Sequence, residues 1–434
     1  MNQSSPKHRP FAEAKSIACE AARRRHLLPL PEGEGRGEGE PEVAEIRRLE
    51  SLTTLVPWNK QRGGSLRLLC LFLLVFPTLA GTAPFVPAND AIVIARLRTK
   101  DSSSAERQLR SSRSTLAVDP TNLALALDFA RQCVRHARAE ADPRFLGQAQ
   151  VALRPWWTNA VPPVEVLVLR ATIRQSLHDF PAALADLNSA LAREPRHAGA
   201  WLTKATIHTV RAEYAEARRA AAHLLGLTDA LTATTAIAQI IALDGDADAA
   251  CRQLEAALSR AGSDLTGSDP ETRVWAHSVL AETAARLGQV ERAEHHFRAG
   301  LQVTPRDPYL LGAFADFLLD QHRPAEVVAL LQEHTRIDGL LLRLAEAQRA
   351  NHPGTEAAHV AELNARFAAA QARGERVHLR EEARFRLRLL DDAQAALPLA
   401  EENWQIQKEP ADSRLLDEAR RKLTQARNKM TKAQ

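Results

Sequence analysis

Aromatic residues make up only 5% of the 434 residues, and just two of them are tyrosines, Tyr214 and Tyr309. Sheets draw on aromatic and β-branched side chains, so a chain poor in rings and rich in alanine and leucine points to helix packed on helix. Cysteine is nearly as scarce. Cys19 and Cys70 lie near the start, Cys133 and Cys251 further on, and no C-x-x-C spacing occurs. That excludes zinc-ribbon and dithiol redox motifs, and the two later thiols read as inert core residues. Lysine is also rare: nine of the 57 basic residues are lysine and the rest arginine, a hint of a GC-rich bacterial gene. Charge of one sign is missing too. Residues 1–80 hold 12 basic and 9 acidic residues, which leaves 45 against 44 in the remainder. A near-neutral body does not advertise a nucleic-acid backbone or an anionic membrane as the main partner. With 45% hydrophobic and 25% charged residues the chain is expected to fold, and its length alone would suggest about three domains.

No apolar run is long enough to span a bilayer comfortably. The longest, Leu68–Ala80, has 13 residues and is broken by Pro77, against the roughly 20 a spanning helix needs. Arg62 and Arg67 precede it, and Thr78-Leu79-Ala80 sets small residues before Gly81. Residues 61–80 therefore read as a signal peptide cut after Ala80, with an inner-membrane anchor as the alternative. Upstream, the run PEGEGRGEGEPE at 31–42 marks residues 1–60 as a disordered leader, since alternating glycine and glutamate raises backbone entropy and repels itself. Met1 and Met430 are the only methionines. A non-AUG start at Leu55 or Val56 would give the signal a normal length, so residues 1–54 are expected to be absent from the working protein. Residues 81–103 read as a linker. The expected address is periplasmic or secreted.

Past residue 103 the chain repeats itself. Shifted by 34 positions, Leu167, Ala171, Thr172, Ile173, Phe180 and Ala183 meet Trp201, Ala205, Thr206, Ile207, Tyr214 and Ala217. A period of about 34 containing two helical stretches is a repeat-array signal. In HDFPAALADLNSALAREPRH (178–197), Asp179, Phe180, Ala183, Leu187, Ala190 and Pro195 set a turn, a small–large–small pattern and a terminating proline. The stretch 288–307 repeats it with Gly288, Val290, Ala293, Phe297, Gly300 and Pro305, and Gly245, Ala250, Leu254 and Ala257 mark a weaker copy. These segments resemble tetratricopeptide repeats over roughly residues 104–410, and the resemblance implies an all-α solenoid of stacked helical hairpins. Helical pairs are expected near 104–119, 123–153, 164–194, 198–226, 231–260, 274–304, 308–334, 339–372 and 378–407. A polar, basic capping helix should follow in 411–434, and 259–271 should interrupt the array.

Family spacing nominates Thr172, Gln175, Ser176, Thr206, Thr209, Glu282, Arg286, Asp316 and Asp320 as groove-facing. Where the family consensus has leucine and tyrosine, this chain has Arg170 and Arg174 in one unit and Lys204 and His208 in the next. They form either a basic ladder for an acidic partner or side chains paired with acids such as Asp186 and Glu216. The lysine–asparagine clamp with which one subtype of the family holds acidic peptide tails is lacking, its places being taken by Val168, Thr172 and Thr203. Catalytic patterns fail on inspection. His295 and His296 point about 100° apart on a helix, and His352 and His359 lack the H-E-x-x-H arrangement. Glu381-Glu382 and Glu401-Glu402 read as solvated charge pairs, and Trp156-Trp157 as rings tucked between units or an exposed anchor. The expectation is a non-catalytic scaffold without cofactor or metal. Its partner would be a protein or peptide, no nucleic acid would be involved, and membrane contact would arise only if the apolar segment is retained.

Overall fold

The computed structural model describes residues 104–263, 269–372 and 379–433. The expected leader, signal peptide and linker lie outside the described residues. Among those described there are nineteen helices and no strand. They run α1 (Ser104–Val118), α2 (Leu123–Ala139), α3 (Arg144–Ala152), a single turn α4 (Arg154–Trp157), α5 (Val164–Ser176), α6 (Phe180–Arg193), α7 (Ala198–Val210), α8 (Tyr214–Ala222), α9 (Ala230–Asp244) and α10 (Ala247–Ser263). Then come α11 (Pro270–Arg286), α12 (Val290–Val303), α13 (Pro308–Asp320), α14 (Pro324–Leu331), α15 (Asp338–Asn351), α16 (Ala357–Ala372), α17 (Leu379–Arg388), α18 (Ala393–Ile406) and α19 (Pro410–Ala433). The chain is an all-α solenoid of stacked hairpins.

Local chemistry sets these boundaries. Asn122, Asp179, Asp229, Asp269, Asp307 and Asp392 each accept a backbone N–H from the first turn of the helix that follows, satisfying one of its orphan donors. Proline opens α11, α13 and α14, where its missing N–H costs nothing. Several turns inside hairpins are left-handed caps, whereas the α9–α10 turn passes through Gly245 in extended backbone at φ −167°. His178, Ala212, Gly288 and His322 have φ of 61°, 58°, 72° and 56°. In each, the next residue's N–H reaches back to the carbonyl five positions earlier, as from Asp179 to Arg174 at 2.9 Å and Glu213 to His208 at 2.8 Å.

Packing follows the small–large pattern. Ala183, Ala217 and Ala293 are fully buried at helix crossings, with Phe180, Leu187 and Phe297 filling the space between helices. Gly300 shows how close one crossing is: a Cβ there would lie 2.7 Å from Leu310 Cδ2. Cys133 and Cys251 are buried and unbridged, and burial pushes the Cys133 thiol up to about 12. The odd-numbered helices from α5 to α19 touch one another in series, forming the inner row, while the even-numbered ones pack outside. The first half of α19 buries Leu415, Leu416 and Ala419 beside α17 and α18. Residues 424–429 of the same helix are exposed.

Candidate functional site

The inner row encloses a cavity of about 340 Å³. Thr209 of α7, Glu282 and Arg286 of α11 and Asp316 and Asp320 of α13 line it, so five of the nine groove candidates share one space. The other four do not line it. Thr172, Gln175, Ser176 and Thr206 are buried in α5 and α7, and the three hydroxyls donate to carbonyls one turn back in their own helix. Spacing placed them on the inner row, where they are buried.

The cavity's strongest electrostatics come from arginines that periodicity alone did not mark. Arg343 of α15 donates two hydrogen bonds to Asp316, at 2.9 and 2.6 Å, and Arg384 of α17 approaches the same carboxylate to 2.7 Å. Burial acts to raise the Asp316 pKa, but the two guanidiniums prevail and hold it well below the usual carboxylate range. Arg384 also grips Glu346 at 2.7 and 2.6 Å, and Arg388 grips Glu418 at 2.7 Å. These pairs bridge α13, α15, α17 and α19. Their signal in sequence is arginine four apart on α17 with acids one repeat away, legible only once the hairpins are stacked. Tyr309 donates its hydroxyl to Glu282. Asp320 is exposed, yet partial desolvation by the surrounding protein raises its pKa, with Arg414 opposing.

The floor of the cavity is the chain's own C-terminal turn. Lys408, Glu409, Pro410, Ala411, Arg414 and Leu415 line it, and Arg380 of α17 meets Glu409 at 3.0 Å and Asp412 at 3.2 Å. Burial pushes the Glu409 carboxyl up to about 7, with Arg380 working against it and Asp412 and Glu282 adding to it. Asp412, tightly linked to Glu409, moves in the same direction because it too is buried.

The four ladder residues are engaged within the protein. Arg170 donates to both oxygens of Asp186 at 2.9 and 2.7 Å and to the Trp157 carbonyl, and Arg174 reaches Asp186 at 2.7 Å. Lys204 donates to Asn188 at 2.7 Å above the Trp201 ring, and His208 meets Glu213 at 2.6 Å. Glu216 pairs instead with Arg219. Trp156 and Trp157 are half-buried, the Trp157 ring lying under the Arg170 and Arg174 guanidiniums at 5.9 and 5.8 Å.

One expectation needs correction. Glu381 and Glu382 are buried rather than solvated, at 4% and 7% exposure, because Arg380 and Arg386 bring their positive charges alongside. Adjacent glutamates look like a solvent-facing pair when only one helix is considered; α17 is covered on more than one side. His296 packs against His277, with their Nδ1 atoms 3.1 Å apart, and its Nε2 lies 3.2 Å from Glu255. Burial and the neighbouring His296 push His277 down to about 4. No group of three or more His, Cys, Asp or Glu side chains that could hold a metal occurs among the described residues. None of the described helices is long and apolar enough to cross a membrane.

No protein-family model matches the chain. No curated protein matches it either. Solved structures with a similar course include a tetratricopeptide repeat protein from Parabacteroides merdae, at 16% identity over 59% of this chain and 93% of that one, with a TM-score of 0.36. The Cut9–Hcn1 hetero-tetramer of APC/C aligns at 16% identity over 74% of this chain and 60% of that one, TM-score 0.40. The P58(IPK) TPR domain aligns at 15% identity over 75% and 99%, TM-score 0.18. Overlaps at these scores carry no argument, so the fold rests on this chain's own stacked hairpins, 34-residue period and recurring left-handed turns: an all-α, tetratricopeptide-like solenoid.

Proposed function

We propose that the protein is a non-catalytic scaffold of the bacterial cell envelope that binds a partner segment along its inner row. The observation that carries this reading is the cavity of about 340 Å³, walled by inner helices of successive units and lined by fixed polar and charged side chains. Rigid, pre-arranged groups on a repeat array favour an extended protein segment, which gains affinity because little of the site must be ordered on binding. The basic ladder is spent on Asp186, Asn188 and Glu213, so the partner is sought in the cavity. Export rests on the signal-like segment 61–80, with cleavage near Ala80.

Site-specific photo-crosslinking in the native host tests the reading. A crosslinker replacing Arg286, exposed in the cavity wall, should capture the partner, whereas one replacing Arg219, exposed on α8 outside, should not. Adducts only from Arg219 would refute it. A second reading, a membrane-tethered assembly factor, is favoured by the absence of charge between Arg67 and Asp90. Alkaline extraction of membranes separates the two, since an uncleaved anchor stays with the pellet.

A further inference from the structure

The turn between α18 and α19 does more than cap the array. After Ile406 the backbone leaves the helix, and Gln407 adopts an extended conformation with φ −127° and ψ 142°. The Lys408 N–H then donates to the Val210 carbonyl at 2.8 Å. Val210 ends α7, so its carbonyl is one of those a helix leaves without an internal partner. On one side of this bond the Ile406 side chain packs against the core cluster of Phe180, Leu191, Ile207 and Val210, and Gln407, almost wholly buried, lies with its Nε2 3.5 Å from His178 Nδ1. On the other side the Glu409 carboxylate meets Arg380. An extended segment is thus held by one backbone bond and one aliphatic anchor on units far earlier in the chain, and by one carboxylate on the neighbouring helix α17. Those are the elements by which a groove recognises a peptide.

We propose that Ile406–Glu409 is an internal ligand, seated where a partner segment of the same chemistry binds, and that it must leave before that partner enters. The partner segment is extended and carries an aliphatic residue with a carboxylate three residues after it. The inference rests on the scaffold reading and names both the class of partner and the way its access is controlled. The α18–α19 hairpin is suited to such movement. Ile406, Gln407 and the Lys408 N–H tie it to α5–α7, while its own core of Leu415, Leu416 and Ala419 against Ala383, Leu387, Ala396 and Ala400 lies with α17 and α18 and does not include them.

The test uses the full chain and a fluorescent synthetic peptide of residues 402–413. In the Ile406→Asp chain, and independently in the Lys408→Pro chain, which lacks the N–H to Val210, the internal segment is released. Each should bind the peptide about tenfold or more tighter than wild type does, the gain expected if the site is free in about one wild-type molecule in ten. The same peptide carrying Ile406→Asp should not bind. Equal binding by wild type and variants would overturn the proposal, and so would no binding by variants that retain wild-type helicity. Either result leaves the crosslinking test of the scaffold reading untouched, so the two failures are distinguishable.

Discussion

Ala212 sits at φ 58°, a region that costs an L-residue about 1–2 kcal/mol and glycine little. Glycine occupies the equivalent place at Gly288, and GQV there does what AEY and HDF do elsewhere. Ala212→Gly should therefore stabilise the protein by about 0.5–1 kcal/mol, after allowing for the extra freedom glycine gives the unfolded chain. The check is a higher urea midpoint at unchanged slope; a lower midpoint would show that the turn is held by something other than backbone geometry. Gly300 predicts the opposite sign. A methyl group there would meet Leu310 Cδ2 at 2.7 Å and His277 Cβ at 3.2 Å, so Gly300→Ala should cost about 1–3 kcal/mol, as overpacking does. At this scale much was legible in the sequence: small residues at crossings and turn residues before the second helix recur at 34-residue spacing, as from 178 to 212 and from 288 to 322. That the turn residues must be left-handed was readable only at Gly288. Histidine and alanine disguise the same conformation at 178, 212 and 322.

Hairpins are joined by ion pairs that reach from one element to the next. Glu294 of α12 accepts from Arg323, the residue before α14, at 2.7 and 3.0 Å and also pairs with Arg298. Hydrogen bonds from Arg323 and Arg298 hold the Glu294 carboxyl down at about 2. A pKa lowered by folding gives stability that is present above the ordinary glutamate value of about 4.3 and is lost as pH falls through about 2. Glu294→Gln should accordingly lower stability at pH 6 and flatten its decline between pH 5 and 2, measured by thermal melts across that range. An unchanged acid limb would show that the pair is as weak as an ordinary surface salt bridge. In α5 and α6, Arg170 and Asp186 are buried at 8% and 5% exposure. Arg170→Ala should lower stability by about 3 kcal/mol, since one partner of a buried pair is removed, though Arg174 stays on the carboxylate. These partners were half legible. Asp186 could be named beforehand because it lies one helix away in the same hairpin. The acids of Arg343, Arg384 and Arg388 could not, because their distance in sequence is that of whole units and their meeting depends on how the units stack.

The feature of the whole molecule least visible in the sequence is that residue 408 reaches residue 210. Each hairpin turns slightly relative to the last, and no local pattern records the sum of those rotations. The closure carries a titratable group at its centre. Burial raises the Glu409 carboxyl to about 7, helped by Asp412 and Glu282 and opposed by Arg380, which also faces Glu381. A pKa raised by closure has a definite sign: the protonated form favours the closed turn, and that contribution is complete below about 4.3 and is lost as pH rises through about 7. The Lys408 amide, bonded to Val210, reports the opening. Its hydrogen-exchange protection, corrected for the intrinsic dependence of exchange on pH, should fall between pH 6 and 8 in the wild-type chain. It should stay level in Glu409→Gln, while amides in the middle of α13 stay level in both. Protection at Lys408 that rises with pH would mean that the Arg380 ion pair, and not desolvation of the carboxyl, governs the turn. If the amide exchanges only as slowly as those of α13 at every pH, the turn opens only when the whole array unfolds, and the cavity floor is a fixed wall.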